Sequence, residues 1–193
     1  MIRNPHTLDD DWWDGDERFE CVNRNIISKV QSEDLFKFTK IFAPISSGLH
    51  IGGNIKDNKR SNWCLEEEPL SLLLNLNENL LSDVCARAEN LPFKDKTFGY
   101  IVSFHTIEHI KGDLLETFNE WLRVLVNNGL ISGSLPNKKY FKHNPENTKD
   151  GEYACKEMYP ENLLDILKQL NVDILLFNSR KNNFDFDFVV RKK

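Results

Sequence analysis

Four cysteines in 193 residues, none of them at C-x-x-C spacing, give neither a zinc knuckle nor a disulfide-stapled scaffold. Cys21, Cys64, Cys85 and Cys155 are scattered along the chain and read as ordinary reduced thiols. Long apolar runs are missing too. No stretch approaches the roughly 20 residues that span a bilayer, and the opening "MIRNPHTLDDDWWDGDERFE" lacks the apolar core of a signal peptide. A cytoplasmic protein without a membrane span is expected. Nor is there an excess of basic charge. Thirty acidic against 25 basic side chains leave a net charge of −5, which argues against a domain built to grip nucleic acid. Internal repeats and low-complexity tracts are absent as well. What remains is 40% hydrophobic and 28% charged, ordinary for one globular domain with a full core.

The first 15 residues, with "DDDWWDGD", read as an acidic, aromatic arm. From Glu17 to Phe42 apolar residues recur at helical spacing, as in Phe19, Val22, Ile26 and Val30. Residues 1–45 are therefore taken as an N-terminal arm and helix, and 46–193 as one globular unit. A short apolar strand, Leu49 to Ile51, runs into Gly52 and Gly53. "PLSLLLNLN", "SDVCARA" and "GYIVSF" follow as strands two to four. "LLETFNEWLRVL" is amphipathic, with Leu115, Phe118, Leu122 and Leu125 on one face. "NNG" ends this helix, with Gly129 suited to the left-handed position. "LISGSLP", the helix "ENLLDILKQL", then "VDILLFNS" and "NFDFDFVVRKK" complete the chain. In the last strand Phe184, Phe186 and Phe188 alternate with Asp185 and Asp187, which predicts one buried and one wet face. Strands alternating with helices predict an α/β fold around a mainly parallel sheet. Its ligands belong beyond the carboxyl ends of the strands.

"HTIEH", residues 105–109, fits the H-x-x-E-H zinc-peptidase pattern. That pattern needs a helix bringing both histidines to one metal and a further ligand downstream. Here the five residues end an apolar strand, and no strong signal marks a further ligand. No metal is expected.

The stretch "ARAENLPFKDKTFGYIVSFHTIEHI", followed by "LLETFNEWLRVLVNNGLISGSLPN", resembles the class I S-adenosylmethionine-dependent methyltransferases of the type 11 kind, over about residues 47 to 190. Those relatives carry "LPF", "SFD", an apolar strand, "LEH", a helix ending "RVLKPGG", and a strand ending proline-asparagine. The resemblance implies a doubly wound, seven-stranded, Rossmann-like sheet with helices on both faces and the last strand antiparallel. It implies S-adenosylmethionine as cofactor, held near Gly52, Gly53 and Asn54, by Asn75, Asn77 or Glu78 at the ribose, by Glu89, Asn90 and Leu91 at the adenine, and at Phe104 and His105 beyond the fourth strand. His109 is the first candidate base, with His105 and His143 behind it and Glu108 as an orienting group. A neutral imidazole with an unperturbed pKa of about 6.5 can take a hydroxyl proton.

Several positions depart from that pattern. The first loop is "GGN" rather than G-x-G. Arg87 stands where an aspartate would accept the adenine amino proton, and Gly99 replaces the aspartate of "SFD". A catalytically degenerate domain serving as a binding or scaffolding protein is therefore the alternative to a working enzyme. "LHIG" and "HNPENTKDGEYACKEMYPENLLDILKQL" are similar to segments of methyltransferases of surface polysaccharides and related sugars. There Tyr159, Pro160 and Glu161 start a helix, and His143, Asn144 and Tyr153 could hydrogen-bond a sugar. A small-molecule or sugar acceptor is expected, with no nucleic-acid partner.

Overall fold

The computed structural model describes residues 34–52, 83–139, 158–179 and 185–193, and the backbone of short strands at 55–56, 59–60 and 71–75. Helix α1 is described over residues 34–42. The strands are β1 (Gly48–Ile51), β2 (Ile55–Lys56), β3 (Lys59–Arg60), β4 (Ser71–Asn75), β5 (Val84–Cys85), β6 (Phe98–Phe104), β7 (Leu125–Pro136), β8 (Val172–Ser179) and β9 (Asp185–Lys192). Between β6 and β7 come a 3₁₀ turn, Ile107–His109, and helix α2 (Leu114–Val124). Helix α3 (Pro160–Leu167) precedes β8. No helix among the described residues is long and apolar enough to cross a membrane.

The main sheet is mixed, in the order β5-β4-β1-β6-β7-β9-β8, and β2 and β3 form a separate hairpin. The pairs β5/β4, β4/β1, β1/β6 and β6/β7 are parallel. β9 is antiparallel to both β7 and β8. Every residue of β1 and β6 is buried, which is why both read as continuous apolar runs rather than alternating ones. The chain reverses its direction of travel across the sheet between β1 and β6. The crevice past their carboxyl ends is thus the topological switch point, where open α/β sheets hold their ligands.

Adjacent residues of a strand face opposite sides of the sheet, and here each side carries its own core. Leu49, Ile51, Ile101, Ile131, Phe186 and Phe188 pack with Phe118, Trp121 and Leu122 of α2 and Leu163 and Leu167 of α3. Tyr100, Val102, Phe104, Leu130 and Val189 pack with Leu35 and Phe36 of α1. Thr39 of α1 also donates from its Oγ1 to Ser132 Oγ of β7, at 2.7 Å.

Two local expectations are corrected. The left-handed residue after α2 is Asn128 (φ 63°), not Gly129. The helix stops at Val124 and the chain passes directly into β7. Lys192 Nζ donates to the carbonyls of Leu122 and Leu125, at 2.7 and 2.8 Å, so the helix end is capped by a side chain from β9. Asparagine tolerates the left-handed region better than most side chains, so either residue of the Asn-Gly pair could have taken it. The second correction concerns β9, which has no wet face along its first six residues. Asp185 and Asp187 share a side with Val189, and α1 packs on that side. Both aspartates are buried.

Candidate active site

Three chain segments meet at the carboxyl edge around the switch point. The first is the end of β1. Gly52 has φ +86°, and a Cβ placed there would lie 1.9 Å from Thr106 Oγ1 and 2.8 Å from Thr106 Cβ. The absent side chain therefore makes room for Thr106, whose hydroxyl donates to the Phe104 carbonyl at 3.1 Å. The glycine is required by the fold of this edge, not only by a ligand's approach.

The second segment is the loop after β5. Asn90 N–H donates to the Arg87 carbonyl at 3.2 Å, closing a turn over residues 88–90. Helix α2 pins this loop from below. Trp121 Nε1 donates to the Ala88 carbonyl at 2.9 Å, and Leu91 N–H donates to Glu120 Oε1 at 2.8 Å. Arg123 donates to the carbonyls of Phe93 and Leu91, to Asp95 Oδ1, and from Nε to Glu120 Oε2. The hydrogen bond from Arg123 holds the Glu120 carboxyl below its ordinary range, and Glu120 and Asp95 push the guanidinium upward. A planar guanidinium can serve two carbonyls and two carboxylates at once, a task a lysine could not do. Glu89, Asn90 and Leu91 are thus presented at the edge on a fixed frame. Leu91 is buried and the Asn90 side chain is exposed. Arg87 Nη2 lies 3.8 Å from Glu89 Oε1 on the surface.

The third segment is "HTIEH". β6 ends at Phe104, and His105 follows in the left-handed region with φ +50°, its N–H donating to the Ser134 carbonyl at 3.0 Å. A histidine there is uncommon and carries backbone strain. The 3₁₀ turn then buries Glu108 between the two histidines. Glu108 Oε1 lies 3.7 Å from His105 Nδ1 and 4.0 Å from His109 Nε2. On its other side His105 Nε2 lies 3.7 Å from Asp185 Oδ2, at the start of β9. Because β9 runs antiparallel, its first residue arrives at the same edge as the ends of β1 and β6. The His109 side chain is 37% exposed, His105 16%, and Glu108 and Asp185 3% each.

Burial, far more than anything else, pushes the Glu108 carboxyl up to about 8. Its own backbone N–H opposes the shift, and the charge of Asp185 adds to it. The unfolded chain releases this proton near pH 4.5, and the folded chain keeps it until about pH 8. The resulting stabilisation is complete below pH 4.5 and disappears as pH rises toward 8, at up to about 1.4 kcal/mol per pH unit. Glu108→Gln removes the titration. The variant is expected to gain stability relative to the parent as pH is raised from 5 to 8, by a few kcal/mol in total. Denaturant midpoints at pH 5, 6.5 and 8 measure this, and parallel pH dependences for the two proteins would refute it.

Gly52, Glu89, Asn90, Leu91, Phe104, His105 and His109 thus share one edge. Asn75 ends β4, paired with Cys85 of β5. Gly53, Asn54, Asn77, Glu78, His143, Asn144 and Tyr153 lie outside the described residues. Tyr159 does precede a helix beginning at Pro160, and its N–H donates to Asn162 Oδ1 at 3.2 Å. The zinc-peptidase geometry does not form: His105 precedes the 3₁₀ turn instead of lying in a helix. Among the described residues no three His, Cys, Asp or Glu are placed to hold a metal ion. Asp185 is the site residue that sequence reasoning missed. Its strand was legible, but its two-residue alternation marked the aspartate as solvated.

The departures from the family pattern also acquire geometry. A Cβ on Gly99 would fall 2.2 Å from the Ile45 carbonyl oxygen, so an aspartate there would displace the segment between α1 and β1. Arg87 cannot accept a proton from an adenine amino group, but the Glu89 carboxylate two residues on can. With Gly52 and the exposed Asn90 amide, these residues fit a nucleoside-bearing cofactor at this edge.

Residues 65–132 match the family model described as a methyltransferase domain. No curated protein matches the chain. Among solved structures it is similar to a Thermotoga maritima "SAM-dependent methyltransferase, possible histamine N-methyltransferase", with TM-score 0.64, 15% identity, and 92% of this chain and 95% of that chain covered. A SAM-dependent methyltransferase from Aquifex aeolicus matches with TM-score 0.61, 11% identity, and 88% and 93% covered. The N-methyltransferase NodS from Bradyrhizobium japonicum matches with TM-score 0.61, 9% identity, and 88% and 98% covered. The chain thus has the fold of these S-adenosylmethionine-dependent methyltransferases, and its residues 65–132 match a methyltransferase domain.

Proposed function

We propose that this protein transfers the methyl group of S-adenosylmethionine to a hydroxyl of a small polar acceptor of the sugar or surface-polysaccharide class. The observation that carries the reading is the histidine and carboxyl cluster beside the switch point. An attacking hydroxyl must lose its proton as it is alkylated, and His109 offers a partly exposed imidazole at that edge. The sugar class rests on the resemblance of the segment before α3.

When bound, the cofactor supplies a methyl group on a sulfonium, which leaves by direct displacement. The protein's part is orientation and proton removal. Gly52, with Gly53 and Asn54, would hold the methionyl part, and Asn75, Asn77 or Glu78 would bond the ribose. Glu89 would accept the adenine amino proton in place of the missing aspartate, with Asn90 and Leu91 beside it. Phe104 and His105 would line the cofactor, and His109 would take the acceptor's proton, with His143 as the reserve candidate.

Calorimetry with S-adenosylmethionine and its demethylated product tests the cofactor site. Saturable binding is expected. No binding at millimolar ligand would overturn the catalytic reading and leave the scaffolding one. Labelled methyl transfer to a panel of sugars and amines then tests the acceptor. Label appearing only on amines, in line with the N-methyltransferase wording in the names of two structural neighbours, would replace the hydroxyl assignment. Turnover is expected to survive a strong chelator, since displacement at a sulfonium needs no Lewis acid. Loss of activity restored by zinc would contradict this.

A further inference from the structure

We propose that Asp185 and His105 are positioning residues, forming the buried end of a four-membered array, His109–Glu108–His105–Asp185, that stabilises the imidazolium formed on His109. The reaction it serves is the methyl transfer proposed above, but the array itself is defined by geometry within this chain. Successive members approach at 4.0, 3.7 and 3.7 Å, alternating base and acid, each His105 ring nitrogen facing a different carboxyl. His109 at the outer end is partly open, whereas both carboxyls of the array are nearly sealed.

Three features argue that this is not incidental packing. Two carboxyls are buried against one imidazole, and burial of such groups is tolerated only when they are neutralised or paired. His105 adopts a left-handed backbone, and its ring lies between Glu108 and the first residue of a strand from the far end of the chain. Glu108 Oε2 is buried with no hydrogen-bond partner among the described residues, which leaves that oxygen available to carry the carboxyl proton. Among the described residues, other titratable groups on this side of the sheet include Asp187, two residues along β9, Tyr100 of β6, Lys40 of α1 and His50 of β1, whose ring meets Phe104 edge-on at 5.6 Å.

The protons balance as follows. Free protein at neutral pH holds one proton on Glu108, consistent with its raised pKa. His109 takes the acceptor's proton on its outer nitrogen and becomes cationic. The Glu108 proton moves to His105 Nδ1, leaving a carboxylate facing the new imidazolium. Asp185 then balances the charge on His105. The four groups end with alternating signs, and the order reverses when His109 releases its proton to water. No group changes oxidation state and no co-reactant is consumed.

The test is a nuclear magnetic resonance titration of the histidine ring protons in the full chain without cofactor, comparing the parent with Asp185→Asn. The pKa of His105 is expected to fall by about one unit or more, with a smaller fall at His109. If the protein is active, the acid-side midpoint of kcat/KM should move with His109, while affinity for S-adenosylmethionine stays unchanged. Unmoved histidine titrations in a folded Asp185→Asn protein would overturn the array. Should that variant fail to fold, His105→Gln serves instead: the His109 pKa should fall, and an unchanged value overturns the proposal. Because the titration needs neither cofactor nor turnover, failure of the methyl-transfer reading would appear separately, as absence of cofactor binding in the parent.

Discussion

Gly52→Val is expected to lower the stability of the chain by about 2–5 kcal/mol and to abolish binding of S-adenosylmethionine. Two penalties combine. At φ +86° a side chain enters a backbone region disfavoured by about 1–2 kcal/mol, and most strongly for a β-branched residue. The new Cβ would also occupy the place of Thr106 Oγ1, and forcing groups into a packed site costs typically about 1–3 kcal/mol. Against the roughly 5–15 kcal/mol that holds a domain folded, the sum is large. Thr106 follows the left-handed His105, so pushing it aside moves the start of the 3₁₀ turn and with it Glu108 and His109. The two penalties separate in a second experiment. Gly52→Ala combined with Thr106→Gly removes the contact but not the backbone strain, and should recover only the overpacking share. Thermal unfolding of all three proteins with cofactor calorimetry decides it. A Gly52→Val protein of parental stability would show that Thr106 does not pack against this turn.

That glycine shows how a sequence reading can find a residue and misjudge its reason. Two glycines after a short apolar strand pointed to the cofactor turn. The neighbour that fills the space over Gly52 is Thr106, which no spacing rule connects to it. β1, β6 and α2 were legible because each carries a pattern of its own, a continuous apolar run or a stripe at helical spacing. "SDVCARA" read as a full strand, but only Val84 and Cys85 pair with β4. A short pairing at one end of a sheet leaves little trace in hydropathy. The alternation of β9 was read correctly as a two-residue period. It could not say what lies over the polar side, and α1, from the other end of the chain, supplies that answer. Three of the four members of the proposed array were therefore visible in "HTIEH", and Asp185 was not. The pinning of residues 88–95 was equally hidden, since Glu120 and Arg123 read only as polar positions on an amphipathic helix.

Trp121→Ala is expected to have the largest effect of any single truncation in this part of the core. The indole is fully buried, packs at 5.1 Å from the Phe118 ring, and donates to the Ala88 carbonyl. Truncating a buried tryptophan costs about 3–5 kcal/mol through lost burial and the cavity left behind. Leaving a buried carbonyl without its donor adds about 1–3 kcal/mol. For a chain of this size the melting temperature should fall by about 10 °C or more, if the variant folds at all. Trp121→Phe divides the effect: it keeps much of the packing and loses the hydrogen bond together with the smaller share of ring volume. The functional consequence follows from where that bond ends. Ala88 opens the turn that presents Glu89 and Asn90, and Trp121, with Glu120 and Arg123, is among the α2 side chains that hold the loop. Trp121→Phe should therefore weaken binding of S-adenosylmethionine measurably even at a temperature where the variant is fully folded. Trp121→Phe with parental affinity would show that Glu120 and Arg123 alone fix the loop, and that the indole serves the core and not the site.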